Sequence, residues 1–139
     1  MREAKLGDVW VVRIDPGEAV VEELQRFAAE RRIDAASVTG IGALRRAELG
    51  FYDAEARDYV RRAVEEPTEL AALVGNVSVK EGRAFAHLHA TLARRDFSVL
   101  AGHFFEGVVG GTCELVIRPL QGYLQRKLDD QTRLFVIDV

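Results

Sequence analysis

A single cysteine, Cys113, stands in a chain of 139 residues. No disulfide can form within one chain, which is compatible with a reducing cytoplasm. A basic excess is missing as well. Nineteen lysines and arginines face 22 aspartates and glutamates, giving a net charge of −3 and a pI near 5.7. Bulk charge therefore gives no pull toward nucleic acid. The pairs Arg31-Arg32, Arg45-Arg46, Arg61-Arg62 and Arg94-Arg95 read as solvated helix ends and turns, with a local basic patch as the other reading. No apolar run reaches the roughly 20 residues that span a bilayer. The opening Met1-Arg2-Glu3-Ala4-Lys5 leads into no apolar signal core. The expectation is a soluble, cytoplasmic protein with no membrane association. Repeats, low-complexity tracts and linkers are absent too, and residues 1–139 fit one domain with a real core.

Histidine is scarce, and its placement is the most informative feature of the chain. All three, His87, His89 and His103, fall in one short window. His87 and His89 stand at i and i+2 in a stretch of strand character. On a strand they share a face with Phe85 and Thr91, whereas Ala84, Ala86, Leu88, Ala90 and Leu92 make the opposite, apolar face. His103 arrives after a short connection, next to Gly102, which lets the backbone come close. Three convergent neutral imidazoles are a competent site for zinc or a similar divalent metal, with a fourth position for water or a ligand. The plain alternative is three polar histidines that lie close only in sequence. An oxygenase of the cupin type also carries a His-x-His in a strand, but needs a carboxylate a few residues on. Thr91, Leu92, Ala93 and Arg94 occupy that region. Gly40-Ile41-Gly42 has neither the third glycine nor the following helix of a nucleotide loop.

Along the chain, residues 8–14 read as a strand. Asp15-Pro16-Gly17-Glu18 reads as a helix start, with Asp15 as N-cap, Pro16 at the first helical position and Glu18 completing a capping box. Val20, Val21, Leu24, Phe27 and Ala28 follow as one apolar stripe, and the helix should end near Arg31 or Arg32. A short strand over 35–39, the Gly-Ile-Gly segment and a second strand over 43–52 come next. Residues 58–64 read as a returning strand, with helix as the alternative. Residues 68–79 read as a turn or helix start and then a strand interrupted at Gly75-Asn76. Lys80-Glu81-Gly82 turns a hairpin into the histidine strand, 83–92. Residues 98–109 carry His103, Gly110-Gly111 turns the chain into a strand over 112–119, 121–130 is a polar connection, and 133–139 is a closing strand. Many strands joined by short turns, with one good helix, predict an α+β domain on a central, mainly antiparallel sheet with few helices. Phe104, Phe105, Val108 and Val109 form an apolar run that is either core or a subunit interface.

The order of these motifs resembles the plants-and-prokaryotes-conserved (PPC) domain family, from about Val12 to Phe135. The landmarks are Gly17-Glu18, Thr39-Gly40-Ile41-Gly42-Ala43-Leu44, Glu69-Leu70-Ala71-Ala72-Leu73-Val74-Gly75-Asn76, His87-Leu88-His89, Gly102-His103 and Leu124-x-Arg126. The resemblance implies an α+β fold, a homotrimer, and His87, His89 and His103 as ligands of a metal, zinc by expectation, as in bacterial and archaeal members. Plant members join this domain to AT-hook segments and work as nuclear DNA-binding regulators. No Arg-Gly-Arg-Pro segment occurs here. Ala101 replaces the first glycine of the family's Gly-Gly-His, and Arg133 stands where a glycine is common.

The resulting expectation is a trimeric, metal-binding domain of regulatory or interaction type, with a small anionic ligand at the metal. Asn76 either orients that ligand or stabilises a bulge, and Arg126 is a second candidate for binding it. One alternative is an enzyme acting on a small molecule through a zinc-bound water, with Glu69 or Glu114 as general base. The other is a DNA-binding regulator by analogy with the plant proteins. That reading is fold-level, and the acidic pI argues against it.

Overall fold

The computed structural model describes residues 1–139. The chain runs β1 (Arg2–Leu6), β2 (Val9–Ile14), α1 (Val20–Glu30), β3 (Ala36–Asp53), β4 (Asp58–Val64), β5 (Thr68–Lys80), β6 (Arg83–Ala93), β7 (Val99–Pro119), β8 (Gln125–Leu128) and β9 (Phe135–Ile137). The strands join in one sheet whose longest path is β1-β2-β7-β3-β5-β8-β9, with β4 on β3. β6 pairs β5 along one side and β7 along the other. β3, β5, β6 and β7 therefore close into a cycle, in which the end of β6 and the start of β7 form a hairpin turned over residues 94–98. Every pairing is antiparallel except β5 with β8. The fold is mostly β-sheet with one helix. No helix is long and apolar enough to cross a membrane.

The apolar face of β6 packs as its alternation requires: Ala86, Leu88, Ala90 and Leu92 are all buried. α1 lays Val20, Val21, Leu24, Phe27 and Ala28 into the core against β6 and β7. The Phe104 run resolves as core, with Phe104, Val108 and Val109 buried; Phe105 instead edges a cavity described below.

Several elements differ from the sequence reading. α1 begins at Val20, not at Pro16. Gly17 takes a φ of +89°, which no right-handed helix accepts. The Glu18 carboxylate does accept the Asp15 amide, at 2.8 Å, as in a capping box, but that bond closes a turn ahead of the helix. Ala19 stands at the N-cap without a side-chain bond. The cap comes from 85 residues downstream: Glu106 on β7 accepts the Val21 amide at 2.8 Å and the Glu22 amide at 3.2 Å. Gly40-Ile41-Gly42 and Gly110-Gly111 do not separate strands. β3 and β7 run straight through them, with shifts of register between Gly40 and Gly42, Gly42 and Leu44, and Leu44 and Arg46. Gly75-Asn76 stays fully paired, opposite Leu88 and His87. A Cβ at Gly75 would stand 1.9 Å from the His87 carbonyl oxygen, so this glycine serves close strand approach. The polar connection over 121–130 contains β8, whose inward residue is Arg126 rather than an apolar one. The first residues form β1, a hairpin partner of β2, turned at Gly7 with a φ of +62°.

Candidate metal centre

His87 and His89 project from the uncommitted face of β6, and His103 on β7 pairs in register with His89. The three rings lie with centroids 5.2 to 5.6 Å apart. One nitrogen from each can be chosen so that all three lie within 4.8 Å of one another. The β6–β7 hairpin, turned over residues 94–98, produces this convergence. Residues opposite in antiparallel strands share a face, so His103 is added to the pair that the i, i+2 spacing already aligns.

The surroundings of His87 and His103 disfavour their charged forms. Burial, with the nearby His87, His89, Arg61 and Arg126, pushes the His103 ring down to about 4. Burial and the Arg126 guanidinium also lower His87. Neutral rings are the ligand form. Tyr59 and Phe105 wall the His103 ring at centroid distances of 4.9 and 4.6 Å. Gly50 makes room for them, since a Cβ there would meet the Phe105 ring at 2.5 Å and Tyr59 at 2.9 Å. His103 Nδ1 is buried with no hydrogen-bond partner in the protein. A buried orphan nitrogen carries a cost unless something occupies it. The donor set and this orphan together fit a divalent metal of borderline softness.

Beside the triad lies a cavity of about 780 Å³ that takes in His87, His103, Tyr59, Phe85, Phe105 and Arg126. Arg126 is only 5% exposed. Its Nε donates to Ser78 Oγ at 2.8 Å, Nη1 to the Phe135 carbonyl at 2.8 Å, and Nη2 to Asn76 Oδ1 at 2.9 Å. Nη2 also stands 3.2 Å from His87 Nδ1. α1 forms part of the same wall: Gln25 accepts the Ala86 amide at 3.1 Å, beside His87 and on the edge of β6 that β7 leaves unpaired.

The structure thus brings Asn76 and Arg126 to the histidines. It places Glu69 and Glu114 elsewhere. They sit opposite Ala43 and Ile41 of β3 and line a separate cavity of about 370 Å³. Glu69 pairs with Ala93, four residues past His89, which is roughly 13 Å along a strand. Asp58 is the one carboxylate lining the triad's cavity. Tyr59 is not singled out by the sequence, and Arg61 and Phe105 enter it only as part of an arginine pair and of an apolar run, not as neighbours of the histidine rings. Their signal was weak: Tyr59 and Arg61 alternate along residues 58–64, but only the pairing of β4 with β3 at Gly50, itself opposite His103, brings them to the site.

Comparison with known proteins follows the same lines. Residues 1–121 match the family described as the Plants and Prokaryotes Conserved (PCC) domain. A metal-containing protein from Archaeoglobus fulgidus is 38% identical, with a TM-score of 0.90 over 97% of this chain and 96% of that one. A proposed DNA-binding protein from Bacteroides thetaiotaomicron is 29% identical, with a TM-score of 0.95 over 99% and 96%. A plant- and prokaryote-conserved (PPC) protein from Pyrococcus horikoshii is 27% identical, with a TM-score of 0.87 over 97% and 94%. No curated protein matches the chain.

Proposed function

We propose that this chain, which belongs to the Plants and Prokaryotes Conserved (PCC) domain family, is a metal-binding domain of regulatory or interaction type. Its ligands are His87, His89 and His103, its metal is zinc, and its working form is a homotrimer. The observation that carries the reading is the convergence of three imidazoles within 4.8 Å, one of them with a buried, unpartnered nitrogen. The metal-containing relative from Archaeoglobus fulgidus supports it. A zinc ion held by three imidazoles supplies Lewis acidity and an open ligand position. Around it, Tyr59 and Phe105 exclude water from one side of His103, and Arg126 holds positive charge on the other side of His87.

The trimer has support in an uncovered stripe of the sheet. Val116, Thr39, Val74 and His89 are opposite one another in successive strands, and Val116 and Val74 are 43% and 56% exposed. A row with two exposed valines that ends at His89 suits a subunit boundary. The DNA-binding reading rests on the names of relatives such as the one from Bacteroides thetaiotaomicron. The net charge of −3 speaks against it.

Size-exclusion light scattering on metal-free and zinc-loaded protein tests both parts. The reading expects a trimer mass that takes up about one zinc per chain. A monomer under both conditions refutes the trimer, and zinc uptake unchanged in His103→Ala refutes the ligand set.

A further inference from the structure

The buried cation beside the histidines has no anionic partner in the protein. Arg126 forms no ion pair, and its contacts are a hydroxyl, a carbonyl, an amide oxygen and an imidazole nitrogen. Guanidinium groups are seldom buried without a counter-charge. One Nη1 hydrogen has no acceptor, and the group borders the cavity. Lys80 and Arg133 border it too, while Asp58 is the sole carboxylate there. The walls are aromatic: Phe85, Phe135, Tyr59 and Phe105. A volume of about 780 Å³ is that of a small-molecule site. Cationic side chains in excess of carboxylates, together with aromatic rings in the same walls, suit an organic carboxylate better than a bare inorganic anion.

The contact between Arg126 Nη2 and His87 Nδ1 adds a second element. The guanidinium can only donate, so Nδ1 accepts, and the neutral ring then carries its proton on Nε2. That tautomer has no free lone pair for a metal. A metal on Nδ1 takes the accepting lone pair. A metal on Nε2 puts the ring proton on Nδ1, facing the donor. A flipped ring presents carbon to the guanidinium. In each case metal binding breaks this hydrogen bond and frees an Nη2 hydrogen.

From this we propose that Arg126 and its cavity form a subsite for a small organic carboxylate with an aromatic or apolar body, which binds cooperatively with the metal. The inference rests on the metal-binding reading above. Metal occupation releases the guanidinium from His87, and the carboxylate takes the released donor. By reciprocity the carboxylate raises metal affinity by the same factor.

Calorimetry with benzoate as the probe tests this on the full chain. Zinc uptake is measured first, then benzoate affinity on metal-free and zinc-loaded protein, with benzamide as the uncharged counterpart. Benzoate should bind the zinc-loaded form at least about tenfold more tightly than the metal-free form, and benzamide should be weaker by a similar factor. Asn76→Asp gives Arg126 an internal carboxylate and should abolish benzoate binding while zinc is still taken up. Arg126→Lys, checked for fold by circular dichroism, should lose the coupling and serves if Asn76→Asp does not fold. Zinc uptake with equal benzoate affinity in both forms overturns the subsite and leaves the metal reading standing. So does benzoate binding that survives in the variants, which would place the probe on the metal alone. Absence of zinc uptake overturns both readings.

Discussion

Replacing Glu106 with alanine should destabilise the protein by about 2–3 kcal/mol, although Glu106 touches no part of the metal centre. The side chain spans from β7 to the start of α1 and accepts the Val21, Glu22 and Gly107 amides at 2.8, 3.2 and 2.9 Å. Loss of a helix N-cap costs about 0.5–2 kcal/mol. An amide left buried without an acceptor adds about 1–3 kcal/mol, here at the low end because the Glu22 end is exposed. For a domain of this size the melting temperature should fall by roughly 5–10 °C. Glu106→Gln keeps one acceptor oxygen and should lose only about 1 kcal/mol. Burial raises the Glu106 carboxyl above its ordinary 4.5, against the three amide bonds, which lower it. A native value above the unfolded one means that the folded state holds the proton more tightly. The stability this linkage adds is full below the unfolded value and is lost as pH rises through the raised native value. The gap between wild type and Glu106→Gln should therefore narrow across that window, and all other titrations cancel in the difference. Urea unfolding followed by circular dichroism at a series of pH values reads both effects. An alanine variant within about 0.5 kcal/mol of wild type would refute the capping role, whereas a gap that widens with pH would mean that the three amide bonds outweigh burial at the Glu106 carboxyl.

Other outcomes follow from the site and the core. Gly50→Ala should weaken zinc binding by about tenfold, because the Cβ collides with the Phe105 and Tyr59 rings that wall His103; an unchanged isotherm would count against those walls. Metal-free protein should lose stability as pH falls from the ordinary histidine value of 6.5 toward about 4, because the native His103 ring resists protonation. His103→Gln should flatten that slope in pH-dependent urea midpoints. Cys113 is fully buried, and burial pushes its thiol up to about 12; a disulfide reagent should modify it only at the rate of global unfolding, and fast labelling of native protein would contradict its placement.

The histidine strand was legible because its information is local. Alternation fixed which face of residues 83–92 is buried, and the i, i+2 spacing fixed that His87 and His89 point together. The same logic failed for Glu69 and Glu114. Both lie on strands, Glu114 as the sequence reads and Glu69 where it reads a turn or helix start ahead of the strand, but strand character says nothing of how far along a strand a residue sits. The helix start was misplaced because Asp15, Pro16 and Glu18 carry every local signal of a cap, while the real cap, Glu106, comes from β7. Gly110-Gly111 reads as a turn in the sequence because paired glycines readily take positive φ. Here both remain extended, and Gly110 packs with 3.1 Å between its Cβ position and the Arg45 amide nitrogen. Arg126 was found through a motif, but its burial was not visible, since a strand of sequence Gln-Arg-Lys-Leu reads as solvated.

The central claim is that His87, His89 and His103 hold one metal ion. Its most direct test is elemental analysis of untagged protein as purified, run beside His89→Ala. The account expects about one zinc per chain in the wild type and a loss to background in the variant. A wild type without metal, even after zinc is added back and excess removed, would contradict it.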